Sequence, residues 1–413
     1  MVKLKTFIAI DLKSFFAFCE CLDKNYDPFT TPLIVCHPTH RGAMTLAVSP
    51  YVKSLGVKSR TRVYDLPKNV KFIKVPPRMG LYAKKSSEVF NVYKEYFSEN
   101  DIHKYSIDEV FIDVTSYLKL YKKTPRELAL FLLSEVTRKT GLMAAAGIGP
   151  NIFMAKVAMD LEAKKNKDSV AEWFYTDIKD KLWGVTPLSK IWGIGPRMEA
   201  NLNNLGIFTV KDLAHFNKNI LKDKYGVLGL ELWNHSNGID NSTIKDYNKE
   251  PKNASISHSQ VLYKDYNGSN ISIIIRETID LLAKRLRDSK KRAGIITFKV
   301  KYSKSVSGGF KKSLRLDNPV KDENEMFNLC MNIFDQFYDN KPIRQISIQL
   351  SNLCADIGEQ LSLFDTFEEI TTINQKNEAI DFIKEKYGTN SLLRASSLLD
   401  DSTIIERNKK NGI

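Results

Sequence analysis

Asp108 and Glu109 stand side by side at the head of a segment that runs on through Val110, Phe111, Ile112 and Val114, all strand formers. Two like charges about 4 Å apart repel by roughly 4 kcal/mol at an effective dielectric of ~20, so a fold that seats this pair must bring something cationic to it. A third acid, Asp11, ends the apolar run Thr6-Phe7-Ile8-Ala9-Ile10 and precedes Leu12-Lys13-Ser14-Phe15-Phe16-Ala17. An aspartate at a strand's end, just before a helix, lies at the rim where sheet proteins build sites. Hard oxygen donors favour Mg²⁺ over zinc. Three carboxylates with one main-chain carbonyl, that of Leu12, could hold two Mg²⁺ for in-line phosphoryl transfer. Spacing alone leaves a surface turn with solvated acids equally open.

The chain of 413 residues has room for about three domains. Its net charge of +14 makes a polyanion the first partner to consider. No apolar run approaches the ~18 residues of a membrane span. The lysine-bearing start meets Asp11 too soon for a signal peptide and reads as a first strand. Five cysteines are few for this length and imply a reducing, cytoplasmic setting. Cys19 and Cys21, with Cys36, His37 and His40, lack the spacing of a zinc site. No Walker lysine motif occurs.

The basic excess is concentrated. From Lys284 to Arg315 there are twelve Lys or Arg against one acid, whereas the stretch beyond Asn352 has seven against eleven. Ile296, Phe298, Val300 and Tyr302 alternate with Thr297, Lys299, Lys301 and Ser303, which predicts a strand with one apolar and one basic face. A second strand after Ser307-Gly308-Gly309 carries Lys311, Lys312 and Arg315. Helical stripes at Ile271–Leu286 and Phe327–Phe337, and strands near Ile256 and Ile346, complete a split-βαβ (βαββαβ) order over residues 254–352. Both helices are expected on one sheet face, leaving Lys299, Lys301, Lys311, Lys312 and Arg315 to meet phosphates on the other.

Thr124-Pro125-Arg126-Glu127 is a capping box with proline at the first helical position. Ile191-Trp192-Gly193-Ile194-Gly195-Pro196-Arg197 places two glycines before a helix start, where the backbone can approach a DNA phosphate independently of sequence. Gly193, Gly195 and Arg197 are its candidate contacts. Downstream, Gln360-Leu361-Ser362-Leu363-Phe364 sets an apolar pair in an acidic stretch, the mark of a docking peptide.

Asp11 with Phe15-Phe16-Ala17 and Glu20, together with Tyr105-Ser106-Ile107-Asp108-Glu109 and Asp113, resembles the two signature segments of the Y-family translesion DNA polymerases, in particular the UmuC-like branch of Gram-positive bacteria. The resemblance spans nearly the whole chain. It implies a multidomain α/β right hand: a palm (1–25 and 79–165), small fingers (26–78), and a helical thumb with a helix-hairpin-helix (166–246). A linker (247–253), a split-βαβ little finger (254–352) and a tail (353–413) follow. It implies that Asp11, Asp108, Glu109 and the Leu12 carbonyl bind two Mg²⁺. Phe15 and Phe16 would lie at the nucleotide, with Phe16 excluding a ribose 2′-OH by clash.

Many relatives carry a second acid two residues after the first, where this chain has Lys13. Lys53, Tyr51 and Lys164, with Lys165 a close competitor, match the positions that meet the triphosphate of a dNTP. Gln360, Leu361, Leu363 and Phe364 resemble the bacterial sliding-clamp peptide. A recombinase filament is a further partner of such enzymes, to which no residue here is assigned. The activity implied is low-fidelity, template-directed synthesis past damaged bases on primer-template DNA, in DNA repair and the SOS response. A catalytically idle DNA-binding and clamp-binding scaffold is the alternative.

Overall fold

The computed structural model describes residues 5–37, 42–249, 254–356 and 367–411. They form two compact units that divide between Lys249 and Glu250. In the first, β1 (Phe7–Leu12), β5 (Ile102–Lys104), β6 (Glu109–Asp113), β7 (Ala144–Gly149) and β8 (Val170–Glu172) make one sheet of order β5-β6-β1-β7-β8. Three further strands, β2 (Leu33–Val35), β3 (Ala47–Val48) and β4 (Ile73–Val75), make a second sheet of order β3-β2-β4. Central β1 runs antiparallel to both β6 and β7, so it is apolar on both faces until its last turnout at Asp11.

Each face of the large sheet has its own cover. Ile8, Ile10, Leu12, Val110 and Ile112 pack under the helices Phe15–Asp23, Met79–Lys94 and Pro125–Thr140. The last of these starts at the capping box read from the sequence, Thr124 Oγ1 accepting from Glu127 N while Glu127 Oε2 accepts from Thr124 N. Glu20, wholly buried, ties the first two helices together by accepting from Arg78 at 2.9 and 2.7 Å and from the Tyr82 hydroxyl at 2.8 Å.

Phe7, Ala9 and Phe111, on the opposite face, take the helix Ile152–Ala158 through Ile152, Ala155 and Met159. That helix lies unusually close. A Cβ on Gly147 would come within 2.1 Å of the Ala155 carbonyl oxygen and 2.3 Å of the Met159 nitrogen. The chain continues as one π-helical stretch, Met159–Ala163, of the kind that re-aims side chains at functional sites.

Behind the same helix, Phe153, Met154 and Val157 join a core with Trp173, Leu182, Leu188, Ile194, Leu202 and Leu232. The expected thumb therefore shares its packing with the expected palm. Tyr247 and Asn248, assigned to a linker by their polar surroundings in the sequence, belong to this unit instead. Tyr247 closes the helix Ile244–Tyr247 and packs on Phe111 and Trp192, and Asn248 donates to the Ile102 carbonyl.

The second unit holds β9 (Ile256–Tyr266), β10 (Lys291–Tyr302), β11 (Gly309–Val320) and β12 (Ile343–Ala355) in the order β11-β10-β12-β9. All neighbours are antiparallel. Thus β9 and β10 run parallel with β12 between them, two interlocked split-βαβ units. The helices Ile271–Asp288 and Glu323–Phe337 bury Ile275, Ile279, Leu282, Cys330 and Phe334 against Ile296, Phe298, Val300, Ile346 and Ile348.

The C-terminal stretch folds back on this helix layer. Arg287 pairs with Asp381 at 2.8 Å and Arg394 with Asp280 at 2.7 Å, while buried Glu277 accepts from Ser402 Oγ and Thr403 Oγ1 at 2.6 and 2.9 Å. Residues 360–364, the expected clamp peptide, lie outside the described residues.

Gly147→Ala should force the helix Ile152–Ala158 off the sheet. A loss of about 1–3 kcal/mol in stability, read by thermal or denaturant unfolding, is expected from such overpacking. An unchanged midpoint would show that the helix is not pressed on this strand.

Candidate active site

Directly opposed residues of an antiparallel pair share a face. Asp11 stands opposite Glu109, and Leu12 N donates to the Asp108 carbonyl at 2.9 Å. Asp11 and Glu109 thus emerge together at the end of the face that the helix Ile152–Ala158 covers. That helix and its π-helical continuation meet them with Lys156, Asp160 and Lys164. Lys156 Nζ reaches Glu109 at 2.7 Å and Asp160 at 2.9 Å, while Lys164 Nζ reaches Asp160 at 2.8 Å and Asp11 at 3.3 Å. Five charges alternate in sign from Glu109 to Asp11. Glu109 and Lys156 are only 6% and 7% exposed, so each requires the other as counterion.

Burial sets the electrostatics of this row. It pushes the Glu109 carboxyl up to about 7 against the attraction of Lys156, with Asp11 and Asp160 adding to the rise. It raises Asp11 as well, opposed by Lys164 and reinforced by Asp108. Burial would also lift Asp160, yet Lys164 and Lys156 outweigh it and hold that carboxyl below its ordinary range. The two lysines lie above theirs, because their acids overcome the desolvation that favours the neutral amine.

Asp108 is held differently. It sits in the turn before β6, where Ser106 Oγ donates to its Oδ1 at 2.7 Å. Among the described residues no three acid, His or Cys side chains are gathered closely enough to enclose a metal ion. The expected donors nevertheless suit a hard divalent cation, since every side chain among them would offer carboxylate oxygens. Lys156 and Lys164 supply here the positive charge that such an ion would bring.

The other expected contacts divide. Lys53, at the end of the helix Pro50–Ser54, lies within electrostatic reach of Asp11, Lys164 and Lys13, and loss of hydration lowers its pKa. Lys13 Nζ bonds Ser169 Oγ. Lys165, the competitor of Lys164, lines a separate groove with Trp173 and Lys181. Tyr51 packs against the small core of Ile34, Val48, Val52 and Leu66.

Phe16 is half-buried and stacks on Tyr82 with ring centres 4.5 Å apart. Phe15 does not offer a nucleotide contact through its ring, which is 3% exposed and part of the core, because the helix that begins there turns it under the sheet. Gly193 takes φ +90°, a conformation strained for other residues, just before Gly195 caps the helix Pro196–Asn203 that carries Arg197.

In the second unit, register sorts the basic residues. Lys299 opposes Lys311, Lys301 opposes Gly309 and Ile295 opposes Arg315, all on the face away from the helices. Their partners across the sheet on that face are Ser347, Gln345, Ser351, Ser259 and Val261. Lys312 opposes Phe298 and so lies on the helix side, its amine 4.1 Å from the centre of the Phe337 ring. One residue of offset moves it to the wrong face for a phosphate contact.

Lys156 and Asp160 were not singled out from the sequence. Their signal was there, since Lys156, Asp160 and Lys164 recur every four residues. Nothing local showed that this stripe faces acids instead of water.

Comparison with known proteins agrees with this architecture. The impB/mucB/samB family matches residues 10–160, its C-terminal domain residues 253–363, and the IMS family HHH motif residues 175–207. The chain is 36% identical to UvrX of Bacillus subtilis, named for UV-damage repair, over 98% of this chain and 96% of that one. It is 30% identical to DNA polymerase IV 2 of the same organism over 100% and 99%, and 32% identical to DNA polymerase IV of Clostridium acetobutylicum over 90% and 89%. A chimeric Y-family DNA polymerase, Dbh-Dpo4-Dbh, superposes with a TM-score of 0.69 at 21% identity, covering 85% of this chain and 99% of the chimera. Three family matches along the chain, and relatives 30–36% identical over nearly their whole length, make this chain a member of the impB/mucB/samB family of Y-family DNA polymerases.

Proposed function

We propose that the chain is a DNA-directed DNA polymerase of the translesion type, extending a primer 3′-OH with dNTPs opposite damaged template bases. The observation that carries this reading is Asp11 set opposite Glu109 at a sheet edge, with Lys164 on Asp11 and Lys53 nearby. Asp11, Asp108, Glu109 and the Leu12 carbonyl would hold divalent magnesium, two ions in the full site. These would neutralise the charge that develops on the phosphoryl group and its neighbours.

The remaining work falls to side chains. Lys164 and Lys53 present cations to the triphosphate. Phe16, braced on Tyr82, bars a ribose 2′-OH. Gly193, Gly195 and Arg197 grip backbone phosphates without reading bases. Lys299, Lys301, Lys311 and Arg315 do the same from the open sheet face. Like charges directly opposed, such as Lys299 and Lys311, weaken a sheet, and a phosphate backbone supplies the reason to keep them. The peptide 360–364 would tether the enzyme to a sliding clamp and raise its effective concentration at the primer. A role in the SOS response and a recombinase partner complete the proposal without assigned residues.

Primer extension with Mg²⁺ and dNTPs tests the whole. Asp108→Ala, which leaves the buried Lys156 pair intact, should slow extension by about 10²–10³-fold or more. Equal inertness of wild type and variant would favour the scaffold. Phe16→Ala should raise ribonucleotide incorporation by about 10–200-fold relative to dNTP, the range for relieving one clash, and unchanged sugar selectivity would reject the gate. Lys299→Gln should lower the slope of log K against log[salt] for DNA binding by about 1 while leaving thermal stability equal or higher. Lys312→Gln should leave that slope unchanged, and equal effects of the two would refute the assignment of faces.

A further inference from the structure

We propose that Trp192 and Tyr105 form a latch through which the DNA-gripping hairpin positions the acid-bearing strand; both are positioning residues, and the inference rests on the polymerase reading above. Trp192 immediately precedes Gly193. Its indole N–H donates to the Tyr105 hydroxyl oxygen at 3.0 Å, and the rings meet edge to face with centres 5.7 Å apart. The bond joins segments 87 residues apart in the chain.

Each end of the latch is tied to its own machinery. Trp192 lies parallel to His235 and Tyr247 and edge-on to Phe111, whose neighbours on β6 lead back to Glu109. His235 in turn stacks on Phe153 at 4.3 Å, on the helix that carries Lys156. Tyr105 opens the segment of the paired acids. The next residue, Ser106, holds the Asp108 carboxylate, and the amine of Lys156, which holds Glu109, lies 6.0 Å from the centre of the Tyr105 ring. A shift of the hairpin backbone on DNA therefore reaches both acids through one hydrogen bond and two ring contacts.

Trp192 packs on the core, but core filling does not account for its partner. Tyr105 is 41% exposed, and a tyrosine that open has water for its hydroxyl. The other tryptophans satisfy their N–H groups away from the acids: Trp173 on Glu162, Trp183 on the Ser236 carbonyl and Trp233 on the Phe216 carbonyl. Only the tryptophan beside the hairpin bonds to the segment of the catalytic acids.

The test uses the full-length protein with Trp192→Phe, Tyr105→Phe, the double variant, and Trp233→Phe as a matched control. Three quantities are read: duplex affinity, the single-turnover rate at saturating dNTP, and the dNTP concentration for half-maximal rate. Each latch variant should lose about fivefold or more in single-turnover rate, the size of one neutral hydrogen bond. Duplex affinity and the half-maximal dNTP concentration should stay within about twofold of wild type, since the bond touches neither ligand. The double variant should be no slower than the slower single one, because both changes remove the same bond. Trp233→Phe should keep the wild-type rate. Multiplicative losses in the double variant, a loss confined to DNA affinity, unaffected latch variants, or an equal loss in Trp233→Phe would each overturn the latch. An inert wild type would overturn the polymerase reading, and the latch with it.

Discussion

The close seating of one helix on one strand governs the first unit. Because Gly147 offers no side chain, the helix Ile152–Ala158 can press its backbone against β7 and bring Lys156, and then Asp160 and Lys164, to the end of β1 and β6. A buried carboxylate such as Glu109 cannot persist without compensation. The helix supplies it at 2.7 Å, and the row of alternating charges spreads the compensation to Asp11 at the rim. Lys164 closes the row at its outer end, 3.3 Å from Asp11. Lys156, at the inner end, has nowhere else to go.

The second unit is organised by a different device. Its helices, and the C-terminal stretch bound to them through Glu277, Asp280 and Arg287, use one side of the sheet for stability. The other side is free of that duty, so it can keep opposed lysines and a field of serine and glutamine. Cohesion and charge are separated by the pleat, one residue apart along every strand. The grip proposed for this face, like that proposed for the glycine hairpin, would be electrostatic and blind to base identity. An enzyme that must work on altered templates is suited by contacts that read the backbone alone.

How much of this was legible beforehand varies with the range of the cause. The capping box at Thr124, the strand after Asp108, the βαββαβ order and the glycine hairpin are local in origin and stood out from their residues. Lys312 was misread because it lies in a dense basic run, where composition speaks louder than the alternation that turns it toward Phe337. Phe15 was misread for a related reason: adjacent aromatics look alike in a motif, and only the direction in which the helix Phe15–Asp23 departs buries one and leaves the other on Tyr82. Tyr247 lay among polar neighbours, and its aromatic partners come from residues 111 and 192.

The amino-acid sequence determined which elements form and which chemistry they carry: acids at strand ends, a basic alternating strand, glycines before a helix. These follow from propensities and periodicities within a few residues of each position. Tertiary structure alone decided which charges meet. That Glu109 faces Lys156, that Lys164 and not Lys165 reaches Asp11, and that Trp192 finds Tyr105 all depend on contacts between distant segments. Counterion choice in a dry interior depends on ångström-scale distance, and such distances exist only once sheet and helix have closed on each other.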